Sequence, residues 1–165
     1  TSDGTCGTCR RSWCARSPGG AGSSAAIPAE IANLDTGALS NDWNRTGEAF
    51  DVYVSGLPGT TPTCRNFSAT FAPRSSHYYG TTPSQCAAVG LLPAWTFEGE
   101  VFNTILTSAT GTCPAGTRPL YRLYNNGMSG APNHRYTTDT AVRVDMILAL
   151  WTPEGQGIGV VGCVP

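Results

Sequence analysis

Hydrophobic and polar residues alternate through the segment PLYRLYNN at 119–126, a pattern that predicts a β-strand ending in an Asn-Asn-Gly turn. HRYT at 134–137 is its predicted hairpin partner. Apolar residues then recur at helical spacing through TAVRVDMILAL, which predicts a helix capped by Thr138 or Asp139. The glycine-rich segment GQGIGVVGCV predicts a closing strand, so this part of the chain is expected to fold as β-β-α-β.

The middle and first parts of the chain carry similar elements. TPSQCAAVGLL is the predicted helix of the middle part, where Pro83 is compatible with a first helical turn. IPAEIANLD is the predicted helix of the first part, and GEVFNTIL and GEAFDVYV are the matching closing strands. Residues 1–26 contain the loop-like segment SPGGAGSSAA and are predicted to be an irregular N-terminal segment held by its cysteines.

A set of residues recurs at nearly constant spacing in the last two parts. In each, a His follows an Arg by twelve residues, a Tyr follows the His by two, and a Trp-x-x-Glu-Gly motif closes the unit. The shared positions are Arg65, His77, Tyr79, Trp95 and Glu98 in one unit, and Arg122, His134, Tyr136, Trp151 and Glu154 in the other. Trp43 begins a degenerate copy of the closing motif.

These patterns predict a β-rich α+β fold, with about three ββαβ-like repeats packed around one core and stabilised by disulfides. The first repeat is degenerate. We expect a single repeat domain at 27–164, with units at about 27–56, 60–106 and 117–164.

Recurrence once per unit favours structural roles for the shared polar residues. His77 and His134 are predicted to be hydrogen-bonding struts to a backbone carbonyl or to Glu, rather than a metal or acid/base pair. Each Arg is expected to form an ion pair with the Glu of its unit, although an Arg-carboxylate fork could instead bind a ligand acid. The tryptophans are expected to fill the core, with stacking on sugar rings as the alternative.

Ligand-binding candidates therefore lie outside the shared positions, because loops carry function disproportionately. They are Trp13, Phe71, Tyr78, Asn125 and Asn126. We predict no catalytic residue, no metal ligand and no cofactor, since the chain has no nucleophile-elbow motif and no repeated Cys-x-x-Cys pattern. Asn44 and Asn66 begin glycosylation sequons.

Charge and cysteine content narrow the classes of partner. The 165 residues have a formal net charge of −1, which provides no basic field for nucleic acid. No apolar run is long enough to span a membrane. Seven cysteines in a chain of this size indicate disulfides formed in an oxidising compartment, so we expect a secreted or cell-surface protein.

The motifs of the last unit resemble those of an uncharacterised secreted repeat of bacterial and fungal extracellular proteins, often found near the end of cell-wall lysozymes and other hydrolases. YRLYN, HRYT and WTPEG match its pattern Y-R-L-Y-N, H-F-Y-T and G-W-x-x-E-G closely. The resemblance covers roughly residues 40–164 and implies an accessory or binding module without an activity of its own. Departures are Val142 and Gln85 in place of a helix Glu, and Gly80 in place of Thr.

The middle unit resembles a variant of this repeat that has one Cys before the Arg and another on the helix. A Cys64–Cys86 disulfide is therefore expected, and Cys113 is expected to pair with Cys163 and join the ends of the last unit. The remaining cysteines, Cys6, Cys9 and Cys14, leave one odd thiol for another subunit or a partner protein.

The leading hypothesis is a non-enzymatic extracellular binding or accessory module for a glycan or another cell-surface polymer. The alternative is a structural subunit or decorating protein of an extracellular filament or surface assembly, with the chain itself or another extracellular protein as partner. A small hydrolase is the least favoured class.

Overall fold

A computed structural model describes residues 9–16, 22–25, 28–38, 44–71 and 74–165, with only the backbone of strand residues 9–16, 22–25 and 44–48. The strands are β1 Cys9–Arg16, β2 Gly22–Ala25, β3 Asn44–Tyr53, β4 Thr61–Ser68, β5 Ser76–Gly80, β6 Thr96–Thr104, β7 Arg118–Tyr124, β8 His134–Thr137, β9 Thr152–Glu154 and β10 Val160–Val164. The helices are α1 Pro28–Asp35, α2 Pro83–Gly90 and α3 Thr140–Leu148.

The strands form two antiparallel sheets. One has six strands in the order β2-β1-β3-β6-β4-β5, and the other has the order β10-β7-β8, with β9 pairing to a further part of β7. A bridge between Ile105 and Cys163 connects the end of β6 to β10. The described chain is thus β-rich with three short helices, in agreement with the predicted class.

Two helices begin where the sequence predicts. Thr82 caps α2 by accepting a hydrogen bond from the Gln85 backbone, and Pro83 occupies the first turn, where its missing N–H costs nothing. Asp139 caps α3 by accepting from Ala141 and Val142. None of the three described helices buries a residue fully, so the helices lie on the outside of the sheets.

The hairpins β4–β5 and β7–β8 have the same register. Arg65 pairs with Tyr79 and Phe67 with His77 in the first hairpin. In the second, Arg122 pairs with Tyr136 and Tyr124 with His134. Because directly paired residues on antiparallel strands project to the same face, each hairpin places an Arg, a His and two aromatic residues on one face.

The larger core cluster draws on strands from every part of the chain. Its buried members are Phe50, Val52, Tyr79, Phe102, Leu120, Tyr136, Val161 and Val164. A second cluster lies beneath α3 and contains Tyr121, Leu123 and Val160, with Met146, Ile147, Trp151 and Cys113 packed against it.

The structure pairs Cys64 with Cys86 and Cys113 with Cys163, the two disulfides that were predicted. The pairing of Cys6, Cys9 and Cys14 lies outside the described side chains. Strands β1 and β2 lie within residues 1–26, where the sequence indicated irregular structure. The difference arises because β1 pairs along its length with the distant strand β3 as well as with β2, and no local pattern reveals the pairing with β3.

Among the described helices, none is both long enough and apolar enough to cross a membrane.

Candidate functional site

Arg65 is the centre of the first ion-pair cluster, which also contains Glu30, His77 and Glu98. Its Nε donates to Glu98 Oε2 at 2.7 Å and its Nη1 donates to Glu30 Oε1 at 2.6 Å. His77 Nε2 lies 3.2 Å from the same Glu98 oxygen. Glu30 belongs to α1, so the guanidinium of β4 connects the closing strand β6 to the helix of the preceding part of the chain.

Arg122 occupies the same position in the second ion-pair cluster, with Glu154, His134 and Tyr78. Its Nε lies 2.9 Å from Glu154 Oε2, but the N–H does not point at the oxygen, so the contact is an ion pair rather than a hydrogen bond. Nη1 donates to Tyr78 Oη at 2.9 Å. Tyr78 therefore occupies the position that Glu30 has in the first cluster, so a neutral phenol replaces a carboxylate.

The predicted Arg–Glu pairs are thus present in both clusters, and each His contacts the Glu of its own unit. His134 Nε2 lies 3.3 Å from Glu154 Oε2. A carboxylate can only accept, so this neighbour favours the tautomer that carries its proton on Nε2. In both histidines Nδ1 is buried and has no hydrogen-bond partner among the described residues.

The two central carboxyls are held in the ionised form. Burial opposes the charge of Glu98, but the contact with His77 and the charge of Arg65 outweigh it and lower the pKa of this carboxyl below its ordinary value. For Glu154, burial is likewise outweighed by His134 and Arg122, and its pKa is lowered. Burial raises the pKa of Tyr78 against the opposing effect of Arg122, so its phenol stays neutral.

A continuous line of rings, here called the aromatic row, runs from the β4–β5 loop to the β7–β8 hairpin. Its members are Phe71, Trp95, Tyr78, His134 and Tyr124. Trp95 makes edge contacts with Phe71 at 6.4 Å and with Tyr78 at 6.3 Å between ring centroids. Two of the three aromatic ligand candidates, Phe71 and Tyr78, are thereby joined through a tryptophan that sequence reasoning assigned to the core.

Trp95 and Trp151 have the same motif but different surroundings. Trp151 packs against the apolar cluster that contains Leu123. The position equivalent to Leu123, one residue after the hairpin Arg, is Asn66 in the middle unit, and Trp95 belongs to neither core cluster of the described residues. Trp95 is half-buried and partly accessible to solvent.

Asn125 does not present its side chain for binding, although the sequence made it a ligand candidate. It is 6% exposed; its Nδ2 donates to the carbonyls of Met128 and Ala131, and its Oδ1 accepts from Gly127 and Asn133. Because these bonds occupy both ends of the amide, Asn125 organises the β7–β8 loop.

The other predicted positions differ in how far the structure describes them. Asn126 is exposed and bonds to the carbonyl of Leu150 and the hydroxyl of Thr152. Trp13 is described only as a position on β1, paired with Ala49, and Trp43 lies outside the described residues. Asn66, the start of a sequon, is fully buried in β4.

These features define a β-rich, disulfide-containing domain with two Arg–Glu–His clusters and a row of partly buried aromatic rings. The model of the family described as "Domain of unknown function (DUF5648)" matches residues 29–161, and the chain belongs to this family. The match includes both ion-pair clusters and the aromatic row. Neither the curated proteins nor the solved structures contain a match to the chain.

Proposed function

We propose that the protein is a non-enzymatic extracellular module that binds a glycan or a similar cell-surface polymer through the aromatic row. The observation that carries this proposal is the environment of Trp95. Its ring is half-buried between Phe71 and Tyr78 instead of packing into a core cluster, and an indole that is partly accessible suits the apolar face of a pyranose.

The state of the charged residues supports a binding role over a chemical one. Glu98 contacts both Arg65 and His77. Glu154 contacts Arg122 and His134 in the same arrangement. A general acid or base requires a pKa near the working pH, whereas both carboxyls have lowered pKa values. The clusters fit a role in holding the hairpins that carry the aromatic row.

The proposed scaffold consists of three ββαβ units, of which the first includes β1 and β2. The element order β-β-α-β occurs three times, with an additional strand in the last unit. The second strands of the units, β2, β5 and β8, contact one another, and so do the closing strands β3, β6 and β10. Such mutual contacts are expected when three similar units bury one continuous core.

We propose that the protein is located outside the cell. Two disulfides close loops with sequence separations of 22 and 50 residues, and such bonds persist in oxidising compartments.

Pull-down with insoluble cellulose, chitin and peptidoglycan tests the proposal. Trp95→Ala and Phe71→Ala should each reduce retention on the polymer that binds the wild type, with an affinity loss of about tenfold or more for Trp95→Ala, or ~1.4 kcal/mol. Phe97→Ala is the matched control, because Phe97 is 56% exposed and lies outside the aromatic row. Retention that is equal for Trp95→Ala and Phe97→Ala would contradict the role of the row.

The alternative proposal, a subunit of an extracellular assembly, is favoured by exposed leucines near the helix ends. Leu91 is 84% exposed, Leu148 75% and Leu150 74%. Sedimentation velocity at increasing concentration tests it. Self-association that Leu91→Ser and Leu150→Ser abolish supports assembly, whereas a monomer at every concentration excludes self-assembly.

A further inference from the structure

A cleft of about 590 Å³ lies where the first and last parts of the described chain meet. It is lined by Ala49, Phe50, Arg118, Thr137, Thr138, Asp139 and Thr140. The lining residues come from β3, from the start of β7, and from the junction between β8 and α3. Its volume is within the range of small-molecule sites, and it shares no residue with the aromatic row.

Polar groups in this cleft have bonding capacity left for a ligand. Arg118 uses its Nε for the carbonyl of Pro165, and no partner is seen for its terminal nitrogens within the described chain. Asp139 uses Oδ1 to cap α3, which fixes the carboxylate and leaves Oδ2 available. The hydroxyls of Thr138 and Thr140 likewise have no hydrogen bond to any described residue.

The charged residues of the cleft favour a neutral ligand. Among the residues whose side chains the structure describes, the lining carries one cation, Arg118, and one anion, Asp139, so these groups give neither a free anion nor a free cation a favourable net charge. The carboxylate also already occupies the positive end of α3, where an anionic ligand would otherwise be held. Fixed donors and acceptors side by side suit a neutral molecule with many hydroxyl groups, and Ala49 and Phe50 add apolar contact.

The charged pair is not part of the repeated pattern. Arg118 lies four residues before Arg122, and the equivalent position before Arg65 is Thr61. Asp139 lies five residues after His134, and the position five after His77 is Thr82. The common scaffold therefore does not require either charge, because Thr82 caps α2 as Asp139 caps α3.

We infer that this cleft is a binding site for a neutral polyhydroxylated ligand, most simply one pyranose unit, with Arg118 as donor and Asp139 Oδ2 as acceptor. This second sugar site does not depend on the aromatic row. Trp13 is the register partner of Ala49, so one of the predicted ligand-binding residues falls on the strand next to the cleft.

The test is an NMR titration of the ¹⁵N-labelled full chain with methyl pyranosides of glucose, galactose, mannose and N-acetylglucosamine. We expect one or more of them to shift the amides of residues 49–50 and 137–140 in a saturable manner. Asp139→Asn keeps a good helix cap and should weaken this binding by about tenfold, the loss typical of one charge-assisted hydrogen bond. Arg118→Gln should weaken it similarly.

Ser84→Ala, an exposed substitution in α2, serves as the control and should leave binding unchanged. The inference is overturned if no glycoside shifts these amides, if inorganic phosphate shifts them more strongly than any glycoside, or if Asp139→Asn and Arg118→Gln both bind like the wild type. Trp95→Ala separates the two proposals, because it should reduce retention on the polymer and leave the glycoside titration of the cleft intact.

Discussion

The guanidinium carbon of Arg143 lies 5.4 Å from the centre of the Tyr121 ring, at the positions where Cys86 and Cys64 form a disulfide in the middle unit. Arg143 and Cys86 each lie nine residues after a His, and Tyr121 and Cys64 each precede the hairpin Arg. A cation–π contact thus connects α3 to its hairpin where a covalent bond connects α2. The stronger connection belongs to α2, which contributes no residue to either described core cluster.

Gly80 makes the disulfide of the middle unit possible. It is the register partner of Cys64, and a Cβ at this position would lie 3.0 Å from Cys64 Sγ and 3.1 Å from Cys86 Sγ. In the last unit Thr137 occupies the equivalent position, opposite Tyr121. The absence of a side chain at Gly80 therefore has a steric cause, the disulfide that packs against it.

Gly80→Ala should destabilise the protein by about 1–3 kcal/mol through overpacking against the disulfide. Chemical denaturation measures the effect, and Gly90→Ala is the control, because a Cβ there meets nothing within 4 Å. In a Cys64→Ala, Cys86→Ala background, itself destabilised by about 3 kcal/mol, the cost of Gly80→Ala should shrink. An unchanged cost would show that the sulfur atoms are not its cause.

The lowered pKa values of Glu98 and Glu154 predict acid sensitivity. A carboxyl whose pKa is lower in the folded than in the unfolded state stabilises the fold above the unfolded value and loses that contribution as pH falls through the folded value. The ordinary value is 4.5, so the melting temperature should fall as pH decreases below 4.5.

The double variant Glu98→Gln, Glu154→Gln isolates this effect. At neutral pH it should be less stable than the wild type, because Arg122 loses its carboxylate partner among the described residues and Arg65 keeps only Glu30. Its melting temperature should depend less steeply on pH below 4.5. Parallel melting curves for the two proteins across that range would rule out these carboxyls as the origin of the acid sensitivity.

The hydroxyl of Tyr136 is expected to stabilise the fold. Its Oη accepts from the Tyr79 N–H at 2.9 Å and donates to the Tyr79 carbonyl at 3.1 Å, so it satisfies both backbone groups of one residue in β5. Tyr136→Phe removes both of these hydrogen bonds from a buried site and should cost about 1–3 kcal/mol in unfolding free energy.

Tyr124→Phe provides the comparison for Tyr136→Phe. Tyr124 is half-buried, and none of the described residues makes a hydrogen bond to its hydroxyl. Its loss should change stability by less than about 0.5 kcal/mol. Equal effects of the two substitutions would contradict the role assigned to the Tyr136 hydroxyl.

The helix caps and the Arg–Glu–His clusters were predictable, because local residues and regular spacing indicate them. The capping residues Thr82 and Asp139 precede their helices directly, and a regular spacing revealed the Arg–Glu–His clusters. The different environments of Trp95 and Trp151 were not predictable, because they depend on strands that are distant in the sequence. Trp151 packs against the cluster that contains Leu123 of β7, whereas the equivalent residue of β4 is Asn66. The ion pair between Glu30 and Arg65 likewise depends on how α1 packs against β4.

Asn125 and Asn126 are neighbours in the same loop, and their substitution should have different consequences. Asn125→Ala removes four hydrogen bonds from a buried amide and should cost at least about 2 kcal/mol. Asn126 is exposed at a positive φ of 55°, a conformation that glycine adopts readily, so Asn126→Gly should cost about 1 kcal/mol or less. Thermal denaturation measures both effects, and the polymer pull-down shows whether either residue contributes to binding. If Asn125→Ala melted like the wild type but lost retention on the polymer, Asn125 would be a ligand-binding residue after all, and its hydrogen bonds would not be what orders the loop.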